Sequence, residues 1–140
     1  MSGWKPIRSH EELEVYQLAY RMAREIFELS RKFLREELYS LTDQIRRASR
    51  SVCSNITEAW RKRRYEAALV SKLNDAETEA AETQTWLRFS LDCRYISKEE
   101  FTSIYEIYNL ILGKLVTMIN HPEPWLLNHH KEEKKRKSAP

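Results

Sequence analysis

Five polar residues, Gln44, Arg47, Ser51, Asn55 and Glu58, recur at steps of three and four, the spacing of one helical face. Directly beside them runs an apolar row at the same spacing, Leu41, Ile45, Ala48, Val52, Ile56 and Ala59. A guanidinium, a carboxylate and two amides in one row can hydrogen-bond across a helix–helix contact or recognise a ligand. Asn55 lies so near the apolar seam that burial is expected, and a buried amide needs partners, for which Glu58 and Arg47 are the candidates. A structural network within or between subunits is therefore the expected role of this row. A further set, Arg46, Arg50, Arg61, Lys62, Arg63 and Arg64, loads the same segment and its exit with cations able to neutralise phosphates. Trp60 and Tyr65 stand beside them as surfaces on which bases can stack. Arginines on a helix face also serve as solubilising or ion-paired groups, so the motif is unspecific.

Catalysis needs more than these rows supply. A di-iron site in a helical bundle wants Glu-x-x-His motifs on two helices, yet the histidines are His10, His121, His129 and His130, all at or beyond the expected helix ends. His129-His130 read as solvated tail residues. Helical ribonucleases that place an arginine four to six residues before a histidine have no counterpart, because no such pair occurs. Gly3 and Gly113 are the only glycines, which excludes a Gly-rich phosphate loop. Asp75, Glu79 and Glu82 share a face of the third helix and would be the ligands of a metal-dependent nuclease, but such rows are usually solvated or paired with a basic neighbour. Cys53 and Cys93 share no local spacing motif and read as packed free thiols of a reducing compartment. The expectation is a protein with no enzymatic activity, cofactor, metal or small-molecule substrate.

Charge is unevenly placed. Residues 128–140 hold five Lys/Arg against two Glu and so account for the whole net charge of +3. Within the neutral remainder the second helix is basic, while Glu66, Asp75, Glu77, Glu79, Glu82 and Asp92 make the third acidic against only Lys72 and Arg88. Either these faces meet, within or between subunits, or the basic one meets a polyanion.

The elements that must position these groups are helices. No glycine or proline lies between Ile7 and Leu112, which favours long helices with short links over a many-turned β architecture. Ser9-x-x-Glu12 and Ser97-x-x-Glu100 are capping boxes, and Ser40-x-x-Asp43 is a weaker one. The first helix is expected to bury Tyr16, Ala19, Tyr20, Ala23, Ile26, Phe27, Ser30 and Phe33. A long third helix, 65–93, carries the seam Leu69, Leu73, Ala76, Ala80, Thr83, Leu87 and Leu91, and at 1.5 Å per residue spans about 40 Å. The fourth has Phe101, Ile104, Tyr105, Tyr108, Ile111, Leu112, Leu115, Met118 and Ile119 at core spacing, and His121-Pro-Glu-Pro-Trp125 ends it. Trp86 and Phe89 flank Leu87 and cannot share one seam, which suggests a subunit interface. The first nine residues carry no apolar run, so no signal peptide is expected. No membrane span is expected either, and the default compartment is the cytoplasm.

The string Leu41-x-x-Gln44-Ile-Arg-Arg-Ala48-Ser-x-Ser-Val52-x-Ser-Asn-Ile56-x-Glu58 resembles the signature of the bacterial four-helix bundle family of proteins encoded in 23S ribosomal RNA intervening sequences, whose members are often labelled S23 ribosomal proteins. Leu13-x-Val15-Tyr16-x-x-Ala19 and Glu37-Leu-Tyr39-Ser-Leu41 are similar to that family's other segments, so the resemblance spans about residues 10–120. Two positions depart from it. Ala59 stands where the family usually has Gly, so a displaced turn or a longer second helix is expected, and Leu34 replaces a common proline. The resemblance implies a bundle that assembles into a homopentameric ring. It also implies kinship with the accessory variability protein of diversity-generating retroelements, a basic pentamer that works with a reverse transcriptase and nucleic acid.

Together these readings predict an all-α, antiparallel up-down-up-down four-helix bundle over residues 1–127, followed by a disordered basic C-terminal tail over 128–140. The expected function is a non-enzymatic oligomeric scaffold that binds RNA or a nucleic-acid–protein complex through its basic helix face and tail. The competing expectation is a protein–protein adaptor whose basic and acidic helices pair between subunits, with no nucleic-acid role.

Overall fold

The computed structural model describes residues 6–127, so the expected disordered tail and His129-His130 lie outside the described residues. Four helices, α1 (Glu14–Ser30), α2 (Leu41–Arg61), α3 (Glu66–Asp92) and α4 (Lys98–Asn120), form an antiparallel bundle, with single 3-10 turns at His10–Glu12, Arg35–Glu37 and Glu123–Trp125. Strands are absent among the described residues. The links 62–65 and 93–97 are too short for anything but antiparallel neighbours. Each helix packs on the next and α4 closes on α1, with α2–α3 the most extensive contact and α1–α4 the least. Fully buried Ala76 and Ala80 explain that closeness, since a methyl group lets the α2 backbone approach. None of the described helices is long and apolar enough to cross a membrane.

The apolar row of α2 is core throughout, from Leu41 at one end to Ala59 at the other. In α1 the expected Ala19, Ala23, Ile26 and Ser30 are buried, as is Phe33 just beyond it, and Val15 and Met22 join them, whereas Tyr16 and Phe27 are half-buried and Tyr20 is 50% exposed. Tyr20 instead stacks on Tyr16 at the bundle's edge, 5.9 Å between ring centres. Ala59 sits inside α2 and is buried, so the helix continues past the family's glycine position to Arg61.

The caps separate what local sequence decides from what tertiary structure decides. Ser97 and Glu100 form the full reciprocal box on α4. Ser9 caps only the 3-10 turn, accepting from the Glu11 N–H, while Glu12 accepts from the Arg8 N–H, and α1 starts after Leu13. At α2 the expected box does not form. The Ser40 hydroxyl donates to Glu37 Oε1 at 2.6 Å, and that same carboxylate accepts the Leu41 N–H at 3.4 Å. The Glu37 carboxylate has taken over the acceptor role expected of the Ser40 hydroxyl, because a full negative charge is the better acceptor for an orphan helix N–H.

Glu37 also accepts the Tyr95 hydroxyl at 2.9 Å, tying the start of α2 to the α3–α4 link. The Ser40 and Tyr95 hydrogen bonds hold the Glu37 carboxyl below its ordinary value of 4.5. In return the Glu37 hydrogen bond, with burial and the nearby charge, pushes the Tyr95 phenol up to about 12. Glu37's depressed folded value means its contribution is complete above the ordinary carboxylate range and is lost as pH falls through that depressed value. Tyr95's raised value means its contribution is complete below 10 and is lost as pH rises through about 12. Tyr95→Phe is therefore expected to flatten the pH dependence of Tm in both windows while leaving the neutral plateau shape unchanged, as read by thermal melts across pH.

Helix α3 ends in a Schellman arrangement, with the Tyr95 N–H on the Ser90 carbonyl and the Arg94 N–H on the Leu91 carbonyl. That geometry puts Arg94 at φ 63°, the left-handed region where a side chain is penalised. Arg94→Gly is expected to stabilise the fold by about 0.5–1 kcal/mol. A higher urea midpoint at unchanged slope would show it.

Candidate nucleic-acid interface

In this bundle the end of α2, the start of α3 and the end of α4 meet at one pole. The link 62–65 turns there, and its geometry is fixed from three directions. The Lys62 and Arg63 N–H groups donate to carbonyls of the last turn of α2, and the Tyr65 N–H donates to the Lys62 carbonyl. Arg63 lays its guanidinium over the Trp60 ring at 3.8 Å and donates from Nη1 to the Trp60 carbonyl at 2.7 Å. The Leu127 N–H then donates to the Arg63 carbonyl at 3.2 Å, bringing the chain past the turn just before its basic tail sequence begins.

Arg63 is thus a structural residue. Partial burial, and then Arg61, lower its guanidinium pKa, though a guanidinium stays charged in proteins. Trp60 is only 6% exposed, so the stacking role expected for it is overturned by its packing. Its indole N–H has no partner among the described residues. Arg61, Lys62 and Arg64 are exposed, as is Tyr65 at 67%.

The other two cations lie away from the turn, over α1. Arg46 is half-buried, with its guanidinium 4.7 Å from the centre of the Phe27 ring and its Nε donating to the Ser30 hydroxyl at 2.7 Å. Arg50 is exposed but also covers Phe27, at 5.4 Å. The six cations thus divide into an α1-facing pair and a cluster at the pole.

The polar row of α2 faces α3. Gln44, Arg47 and Ser51 line a groove of about 500 Å³ opposite Glu79, Glu82 and Trp86. Partial burial, with Glu82 and Asp75 adding repulsion, raises the Glu79 carboxyl above its ordinary value, and Arg47 opposes the rise. Asn55 is half-buried and bonds within its own helix, donating to the Ser51 carbonyl at 2.9 Å and hydroxyl at 3.1 Å. Glu58 reaches α3 through Lys72 at 2.8 Å, and Lys72 also meets Asp75 at 3.6 Å. The hydrogen bond and charge of Lys72 hold the Glu58 carboxyl below its ordinary value. Lys72 was legible as the one cation in the N-terminal half of an acidic helix. Glu37 carried no local signal beyond its place three residues before Ser40.

A wider, open depression of about 1180 Å³ borders Tyr16, Tyr20, Phe27, Arg50 and Cys53, with Arg24 and Glu28 on its rim. Burial pushes the Cys53 thiol up to about 11, which leaves it a poor nucleophile. Among the described residues there is no group of three or more His, Cys, Asp or Glu that could hold a metal ion. Trp86 and Phe89 lie 6.0 Å apart, the first half-buried and the second 52% exposed.

The family described as 23S rRNA-intervening sequence protein matches residues 11–117. No curated protein matches the chain. Among solved structures, a protein of unknown function from the S23 ribosomal protein family of Bacteroides thetaiotaomicron superposes with a TM-score of 0.69 at 30% identity, covering 76% of this chain and 95% of that one. The family match spans α1 to α3 and most of α4, including the whole α2 segment and its turn. This chain belongs to the 23S rRNA-intervening sequence protein family.

Proposed function

We propose that this chain is a cytoplasmic, non-enzymatic, oligomeric helical scaffold that binds RNA, alone or within a nucleic-acid–protein complex, through its basic pole. One observation carries the proposal. Arg61, Lys62 and Arg64 are presented on a turn whose shape Arg63 fixes, and the chain passes that turn at Leu127 before a sequence with five more Lys/Arg. Cations held on a rigid turn bind phosphates at little ordering cost, and flanking basic sequence adds charge in the same sense.

The adaptor reading has its own support in the exposed Phe89 beside Trp86. Its pairing of basic and acidic helices between subunits is weakened, because Lys72 and Glu58 are already paired within one chain and Arg47 faces Glu79 there. The deciding experiment replaces Arg61, Lys62 and Arg64 together by Gln and titrates the full chain with fluorescent RNA. The proposal expects binding to weaken sharply while the mass by light scattering stays constant. The adaptor reading expects the assembly to change mass and no RNA to bind.

A further inference from the structure

We propose that Tyr65 is a stacking platform for an unpaired base, so that the basic pole takes single-stranded RNA in preference to duplex. The inference rests on the RNA-binding reading above and adds the form of the ligand. Tyr65 is 67% exposed and stands as the N-cap of α3. Its backbone is held at both sides, donating to the Lys62 carbonyl at 3.1 Å and accepting from the Leu69 N–H at 3.0 Å. The ring stacks on no other ring among the described residues, and Arg61 and Lys62 lie exposed beside it on the same turn.

Exposure of one tyrosine is ordinary, and Tyr39 provides the comparison. It is 92% exposed at the opposite pole, where Glu36 and Glu37 separate it from Arg35 and no run of cations adjoins it. Of the two, Tyr65 is the one that adjoins exposed cations on a turn with a fixed backbone. Trp60, the other aromatic of the turn, has its ring buried and covered by Arg63, which leaves Tyr65 as the exposed ring of the turn itself. Bases in a duplex already have both faces stacked and offer none to a protruding ring, whereas a single strand offers a face at every nucleotide.

The test uses the full chain with three probes at one salt concentration: a fluorescent oligoadenylate, its deoxy counterpart, and an RNA duplex of the same length. Tyr65→Ala is expected to weaken oligoadenylate binding about tenfold, the scale of one base–aromatic stack, and to leave duplex binding unchanged. Tyr65→Phe should restore the affinity, since it keeps the ring, and Tyr39→Ala should match the unaltered chain. Quenching of 2-aminopurine placed within the oligoadenylate should disappear with Tyr65→Ala. The deoxy probe separates the two sources of an unpaired base: tighter binding of the RNA strand supports the assignment, and a preference for the deoxy strand overturns it. If Tyr65→Ala binds every probe like the unaltered chain while the Arg61/Lys62/Arg64 variant does not, stacking is refuted and the RNA-binding reading stands. If the unaltered chain binds no probe, both fall.

Discussion

Ile56→Ala is expected to destabilise the protein by about 2–5 kcal/mol, the range for truncating a fully buried aliphatic side chain. Ile56 is wholly buried on the α2 row, one turn from Val52 on one side and Trp60 on the other. Ile56 belongs to the same buried cluster as Ala76 and Ala80, whose small side chains have little to move into the space its truncation leaves. A loss of that size lowers Tm by roughly 10 °C for a chain of this length. Urea denaturation followed by circular dichroism measures it. Glu58→Ala, two residues on and exposed, is the matched control and is expected to leave the urea midpoint almost unchanged, because an exposed ion pair contributes little. Equal losses from the two substitutions would mean that α2 does not hold the centre of the bundle.

Replacing Arg61, Lys62 and Arg64 by Gln is expected to weaken RNA binding by roughly 50-fold near physiological salt, with no change in fold. The size follows from counterion release, in which each phosphate neutralised on a single strand contributes about 0.7 to the logarithmic salt slope. Arg63 is left in place because its contacts with Trp60 shape the turn, and its loss would confuse a binding effect with a folding one. Arg46→Gln separates the two groups of cations. It removes a hydrogen bond to Ser30 and a cation over Phe27, so it acts first on the α1–α2 contact.

Much of this architecture was legible from the chain itself. The period of α2 marked its core row, the scarcity of glycine and proline marked the short links, and Ser97-x-x-Glu100 marked the start of α4 because both partners of that box are local. The misses have definite causes. Tyr20 and Phe27 share a face at helical spacing with Ala23 and Ile26, but the buried row of α1 also takes in Val15 and Met22, and the two large rings fall at its edge. At the start of α2 the Ser40 hydroxyl gave up its expected acceptor role to the Glu37 carboxylate, which also accepts from Tyr95, a residue distant in sequence. Trp60 could have been assigned to the core, since it follows Val52 and Ile56 at steps of four. Arg63 could not have been separated from its neighbours, because its role depends on the shape of the turn and on Leu127, which only tertiary structure brings beside it. The polar row was visible as a row, yet its partition into an intrahelical Ser51–Asn55 pair and a Glu58–Lys72 bridge required the position of α3.

The central claim is that the fixed turn at the basic pole neutralises RNA phosphates, and the salt dependence of binding tests it most directly. Affinity for single-stranded RNA is measured for the full chain and for the Arg61/Lys62/Arg64→Gln variant over a series of salt concentrations. The predicted result is a linear fall of log affinity with log salt for the full chain, and a slope shallower by about 2 for the variant, as expected when three phosphate contacts are lost. Equal slopes for the two proteins would contradict the claim, because the turn would then contribute no phosphate contact.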